Sequence, residues 1–243
     1  MSGIVTWLTL LPLLFGVPLA VPFVLELEQG TYQLVWTQGI TRTRWVTLKL
    51  GLLVATALLV ALALMALQSW WRTPLDHLDG SFQPHVFDVE GTVPLAYTVF
   101  AVALELGVGT LLRRTVPAVA ISLVGFLALR LGPETWVRPS YMPPLVTAEN
   151  FQRSDCVLDQ SMRDRLGQQV NMIDIQRLCG VAHGQNAASI RGSCLRQHGF
   201  VTVTTYQPGD RFWLFQGIET AIFLGLAAGL LALTVWWVRE RVA

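Results

Sequence analysis

Five stretches of mostly apolar residues, Ile4–Leu25, Leu48–Gln68, Val93–Leu112, Val116–Leu131 and Trp213–Val238, alternate with polar segments along the chain. This pattern restricts the possible folds more than any other feature. A helix crossing a bilayer needs about 20 largely apolar residues, because the hydrocarbon core offers backbone groups no partner outside the helix itself. A composition that is 53% hydrophobic and 14% charged, with mean hydropathy +0.50, excludes a soluble domain with a polar surface. Val116–Leu131 is the shortest stretch, and Arg130 near its end is expected to snorkel to the interface.

The formal net charge of +1 says little about partners, and no nucleic-acid partner is expected. The placement of the cations says more, since Lys and Arg in short loops favour the cytoplasmic side. Arg42, Arg44, Lys49, Arg113, Arg114, Arg239 and Arg241 fall in alternate loops and at the C-terminus, which predicts a multi-pass plasma-membrane protein with a cytoplasmic C-terminus. The opposing segment 69–92 carries Arg72 against Asp76, Asp79, Asp88 and Glu90, as suits the outer side. The long segment 132–212 does not vote, because long loops translocate largely regardless of charge. The expected fold class is thus an all-α integral membrane protein with about five transmembrane helices and a large extracellular loop between the last two. Its parts are transmembrane helices over 1–132 with a cytoplasmic polar element at 26–50, an extracellular loop or cap over 133–212, and a last helix with cytoplasmic tail over 213–243.

The polar element ELEQGTYQLVWTQGITRTRWVTLKL, Glu26–Leu50, sits between two apolar segments. It is expected at the cytoplasmic membrane surface, where a soluble partner could push on it. Glu28 is expected near a helix start, where the dipole favours an acid, and Gly30 permits a turn. Arg42 and Arg44 are suited to acids on a partner or to phosphates of membrane lipid, or serve only to set topology. Trp36 and Trp45 are interfacial aromatics.

All three cysteines, Cys156, Cys179 and Cys194, lie in the segment expected outside, where disulfides persist. Cys179 with Cys194 closes the shortest loop and is the first choice; Cys156 with Cys179 is the alternative. Cys179, His183, Cys194 and His198 repeat a C-x-x-x-H spacing that would suit zinc, but an oxidising compartment favours the disulfide, and no metal site is expected. The run Cys156–Leu178 has apolar residues near helical spacing and predicts a surface helix.

No enzyme signature appears. Lys49 is the only lysine and no glycine-rich phosphate loop precedes it, nor is there a G-x-S-x-G or H-E-x-x-H pattern. His77 and His85 lie in the acidic segment with no obvious ligand partners, and His77 beside Asp76 and Asp79 suits a solvated cluster. Glu105 and Glu219 fall inside spans, where a carboxylate is costly enough to mark a polar path or a helix-helix lock; Glu219 is also expected within reach of water or Arg211.

Glu26, Glu28, Gly30 and Thr31, followed by Gln38–Trp45 and Lys49, resemble the coupling element of the permease subunit of bacterial type-2 ABC exporters. Leu112–Ala118 and Tyr206–Trp213 with Phe215, Gln216 and Glu219 look like the actinobacterial branch of those permeases. The resemblance implies export of an unidentified substrate by a homodimer or heterodimer of permeases. It also implies a separate ABC ATPase subunit that binds the ATP, so this chain needs no cofactor, and it assigns Glu28, Gly30, Thr31, Arg42 and Arg44 to contact with that ATPase. Such permeases have six spans and an amphipathic N-terminal helix, so a preceding helix is expected to be missing here, in keeping with an N-terminus placed outside. The competing reading is a non-transporting membrane scaffold or sensor whose extracellular loop binds a ligand.

Overall fold

The computed structural model describes residues 10–37, 39, 41–72, 87–148, 155–165, 167–180, 192–195 and 197–241. In chain order the helices are α1 (Leu11–Gln29), α2 (Tyr32–Trp36), α3 (Arg42–Arg72), α4 (Val93–Leu112), α5 (Thr115–Gly132), α6 (Met172–Cys179) and α7 (Phe212–Arg241). Strands β1 (Leu145–Thr147), β2 (Cys156–Arg163) and β3 (Val201–Gln207) complete the described elements. Five helical segments, built on α1, α3, α4, α5 and α7, are long and apolar enough to cross a membrane. The chain forms two compact units, one of residues 1–138 and 212–243 and the other of residues 139–211.

The first unit is built round α4, of whose 20 residues 16 are buried. Lipid is as apolar as leucine, so helices in a membrane associate by close packing rather than by hydrophobic burial, and small residues on α1 and α4 allow it. A Cβ on Gly109 would stand 2.2 Å from Cγ2 of Val24, and one on Gly16 would stand 2.7 Å from Cβ of Ala101. These contacts make α1 and α4 parallel. On another side of α4, Gly107 faces Leu230 and Thr234 of α7. Tyr97, Phe100, Phe126 and Phe223 interlock edge-to-face or stacked between α4, α5 and α7.

Differences from the sequence expectations have local causes. The first helix runs to Gln29 rather than Leu25, because Leu27 packs in the core and Gly30, at φ 72°, supplies the left-handed stop; residues 4–9 of the expected span lie outside the described residues. The span built on α5 continues past Leu131 through a π-helical turn, Pro133–Val137, and a 3₁₀ turn, Arg138–Ser140.

The second unit holds a three-stranded antiparallel sheet in the order β1-β3-β2, with Leu145 opposite Tyr206 and Met162 opposite Thr202. The expected helix over Cys156–Leu178 is therefore a strand at its start and a helix only from Met172. β3, reading VTVTTYQ, is rich in β-branched residues and supplies a partner strand. Gly167, at φ 79°, turns the chain after β2, with its N–H donating to the Asp164 carbonyl at 3.0 Å. Pairing with β3 overrides the weak helical spacing. Cys179 and Cys194 are joined in a disulfide, Cα–Cα 5.8 Å, and Cys156 lies in β2 outside that bridge. The bridge takes both thiols from any zinc site; His183 lies outside the described residues, and His198 stacks on Phe200.

Candidate functional site

Hydrogen bonds fix which helix ends of the first unit meet. At one end Arg113 Nη2 donates to the Arg241 carbonyl at 3.0 Å, and Thr115 N donates to Glu28 Oε2 at 2.8 Å. The C-termini of α1, α4 and α7 thus share an end with the N-termini of α3 and α5, and every cation of the alternate-loop set stands there. This is the basic end.

The 26–50 element connects α1 to α3 at the basic end. After Gly30 the chain makes the five-residue α2 and then enters α3. Four aromatic rings brace it: Phe23 stacks on Trp45 at 5.5 Å, Tyr32 meets Trp36 at 4.6 Å, and Trp36 meets Trp45 at 6.0 Å. The Arg42 guanidinium lies 4.6 Å from the Trp36 ring centroid, and the Lys49 ammonium lies 5.0 Å from that of Trp45 while pairing with Glu26. The Thr31 hydroxyl donates to the Glu26 carbonyl at 3.4 Å. Gln33, Leu34, Thr41, Arg42, Thr43 and Arg44 face outward from this frame, Leu34 being 69% exposed. Gln38 and Ile40 lie outside the described residues.

Glu28 has a different neighbourhood from the one expected. It lies in the last turn of α1, and its carboxylate accepts both the backbone N–H and the hydroxyl of Thr115, capping the N-terminus of α5. The dipole argument holds, but for a helix 87 residues further along the chain.

At the opposite end four charged side chains are buried together. Arg138 donates through Nε to Glu219 Oε2 at 2.9 Å and through Nη2 to Glu219 Oε1 at 2.8 Å and Asp88 Oδ1 at 2.6 Å. Arg130 Nη2 donates to the other oxygen of Asp88 at 2.8 Å. The Tyr97 hydroxyl donates to Glu219, and the rings of Tyr97 and Phe87 lie under Arg130 and Arg138 at 5.4 and 4.3 Å. Two cations and two anions cancel, which is what makes their burial tolerable.

Beside this network the Gln216 carboxamide uses its full capacity. Its oxygen accepts from the N–H groups of Thr92 and Val93, both at 3.0 Å, and its nitrogen donates to the carbonyls of Phe87 and Glu90 at 2.9 and 3.0 Å. It thereby satisfies the start of α4, whose first N–H groups have no partner within the helix.

Sequence reading singled out Glu219 but looked to Arg211 or water for its partner. The structure pairs Glu219 with Arg138, while Arg211 bonds the Pro143 carbonyl and Gln207 within the second unit. Arg130 is buried rather than snorkelling, and Asp88, one of the acids of segment 69–92, is 2% exposed. Glu105, at mid-span in α4, is buried with neither oxygen hydrogen-bonded among the described residues; Ser122 on α5 is its polar neighbour, short of hydrogen-bond geometry. His77 and His85 lie outside the described residues. Among the described residues no group of three or more His, Cys, Asp or Glu could hold a metal ion.

Five apolar spanning helices, with all their charges but Glu105 near the two ends, define a multi-pass integral membrane protein. The model of the family described as ABC-2 membrane transporter related matches residues 1–138, and the chain belongs to that family. The match takes in the braced turn, α4, α5 and three of the four charged members of the buried network. No curated protein and no solved structure shows a significant match.

Proposed function

We propose that this chain is the permease subunit of an ABC transporter of the exporting type, driven by a separate ATPase subunit that binds and hydrolyses the ATP. The observation that carries the reading is the braced turn of Gly30–Arg44 inside the family match. An energy-coupling surface has to move as one piece with the helices it drives, and the Phe23, Tyr32, Trp36 and Trp45 stack fixes this turn to α1 and α3. The positive-inside bias supports a cytoplasmic basic end and C-terminus, which would face Gln33, Leu34, Arg42 and Arg44 towards the ATPase. Gly30 permits the turn, Thr31 locks it onto Glu26, and Glu28 contributes by holding α5 against α1. Much of the outward surface of α3 is apolar, including Leu52, Leu59 and Leu62, which suits lipid and a second permease copy.

The reading is tested by the ATPase rate of an ABC ATPase subunit from the same cell, reconstituted in liposomes with and without this chain. A rate that depends on the chain is expected. A rate indifferent to the folded chain would overturn the reading and favour the scaffold or sensor, in which the disulfide-bridged second unit binds a ligand.

A further inference from the structure

The four buried charges come from the turn before α4, the end of α5, the 3₁₀ turn beyond it and the second turn of α7, and the way the two arginines meet is unusual. Arg130 closes α5, and Arg138 follows it by eight residues. On a regular helix they would stand roughly 12 Å apart along the axis and about 80° apart around it. Instead both guanidiniums meet on Asp88, one on each oxygen. The π-helical turn Pro133–Val137 lies between them and makes the convergence possible. Such turns are rare, hold fewer good backbone bonds per residue than an α-helix, and recur at functional positions. Proline at its first residue removes a further backbone donor.

The network divides unequally. Arg130 sits on regular helix, pairs with one oxygen of Asp88 and lies over the Tyr97 ring. Arg138 sits beyond the π turn and supplies the hydrogen bonds that join Asp88 to Glu219 of α7. If the π turn loosens, Arg138 alone can withdraw. It leaves Arg130 paired with Asp88, and Glu219 keeps the Tyr97 hydrogen bond. Buried ion pairs contribute little net stability, and their best-attested use is to select one arrangement over another.

We propose that Arg138 is the movable bolt of an ionic latch, hinged on Pro133–Val137, that holds the end of α5 against α4 and α7 and is released when that end of the bundle opens during the transport cycle. The link to transport rests on the permease reading; the latch itself does not.

Hydrogen exchange of the full chain in lipid nanodiscs tests it. In Asp88→Asn, which takes the Asp88 charge from both Arg130 and Arg138, the amides of 132–138 exchange ~100-fold faster than in the wild type, the change that corresponds to about 3 kcal/mol at about 1.4 kcal/mol per tenfold, the lower range for removing one member of a buried pair. The amides of 96–110 and 220–238 keep their wild-type rates. The charge-balanced variant Arg138→Met with Glu219→Gln leaves no uncompensated charge, folds, and shows the same local acceleration. Acceleration spread evenly over α4, α5 and α7, or no acceleration at 132–138, would show a static weld and overturn the latch. With the cassette ATPase bound and trapped by ATP and vanadate, the wild-type amides of 132–138 also accelerate; a bound, trapped ATPase that leaves them unchanged overturns the role in the cycle. If no ATPase binds, the permease reading fails, and the variants in nanodiscs alone decide the latch.

Discussion

Replacing Gln216 with methionine, close to it in shape and without its polar groups, removes four hydrogen bonds at once. Two of them, to the Val93 N–H and the Phe87 carbonyl, lie in buried surroundings, while the Thr92 and Glu90 groups are partly accessible. A buried backbone group left without a partner costs about 1–3 kcal/mol. Counting only the two buried groups, and letting water satisfy the others, gives a loss of roughly 4 kcal/mol with a range of ~2–6. Gln216→Glu keeps the acceptor for the two N–H groups but cannot donate to the carbonyls, and it adds an anion near Glu219; it should fall between wild type and methionine. Reversible unfolding in mixed detergent and SDS micelles, followed by tryptophan fluorescence, measures all three. A methionine variant within ~0.5 kcal/mol of wild type, the usual range for an inconsequential surface change, would refute the claim that Gln216 organises the start of α4.

Thr115→Val removes the hydroxyl that donates to Glu28 and should weaken the α5 cap by about 1 kcal/mol in the same unfolding assay; unchanged stability would show that Glu28 does not hold α5. Gly109→Ala should destabilise the first unit by about 1–3 kcal/mol through its collision with Val24, and adding Val24→Ala should restore most of the loss, which a double-mutant cycle in the same unfolding assay reads directly. Cys179→Ser with Cys194→Ser opens a bridge spanning 15 residues and should cost the second unit about 3 kcal/mol; faster proteolysis confined to 139–211 is the expected readout.

The membrane helices were readable because each announces itself by a run of apolar residues, while the polar turns that extend them, such as Arg42–Thr47 of α3 and Arg239–Arg241 of α7, carry no apolar signal. The braced turn was partly readable: Gly30, the tryptophans and the arginines stand close together in sequence, but nothing local shows that Glu28 reaches Thr115. The buried charge network was not readable. Its pairs are separated by 42, 50 and 81 residues, and Asp88 and Arg130 each look like ordinary boundary residues until the partner is in place. A usable signal was present in the excess of charge at one edge of the spans, with Arg130, Arg138, Asp88 and Glu219 all near the same predicted boundary. The strand at Cys156–Arg163 was missed because its apolar residues fit a helical period about as well as alternation, and only β3 settles the choice.

The most direct test of the central claim is co-purification, from detergent-solubilised membranes of the native cells, of this chain with an ABC ATPase subunit, comparing wild type with Leu34→Glu and Arg44→Glu. Both side chains point outward from the braced turn, so the substitutions leave the fold intact. The account predicts stoichiometric ATPase with the wild type and its loss from both variants; an ATPase that stays with the variants as with the wild type, or fails to accompany the folded wild-type chain, would contradict it.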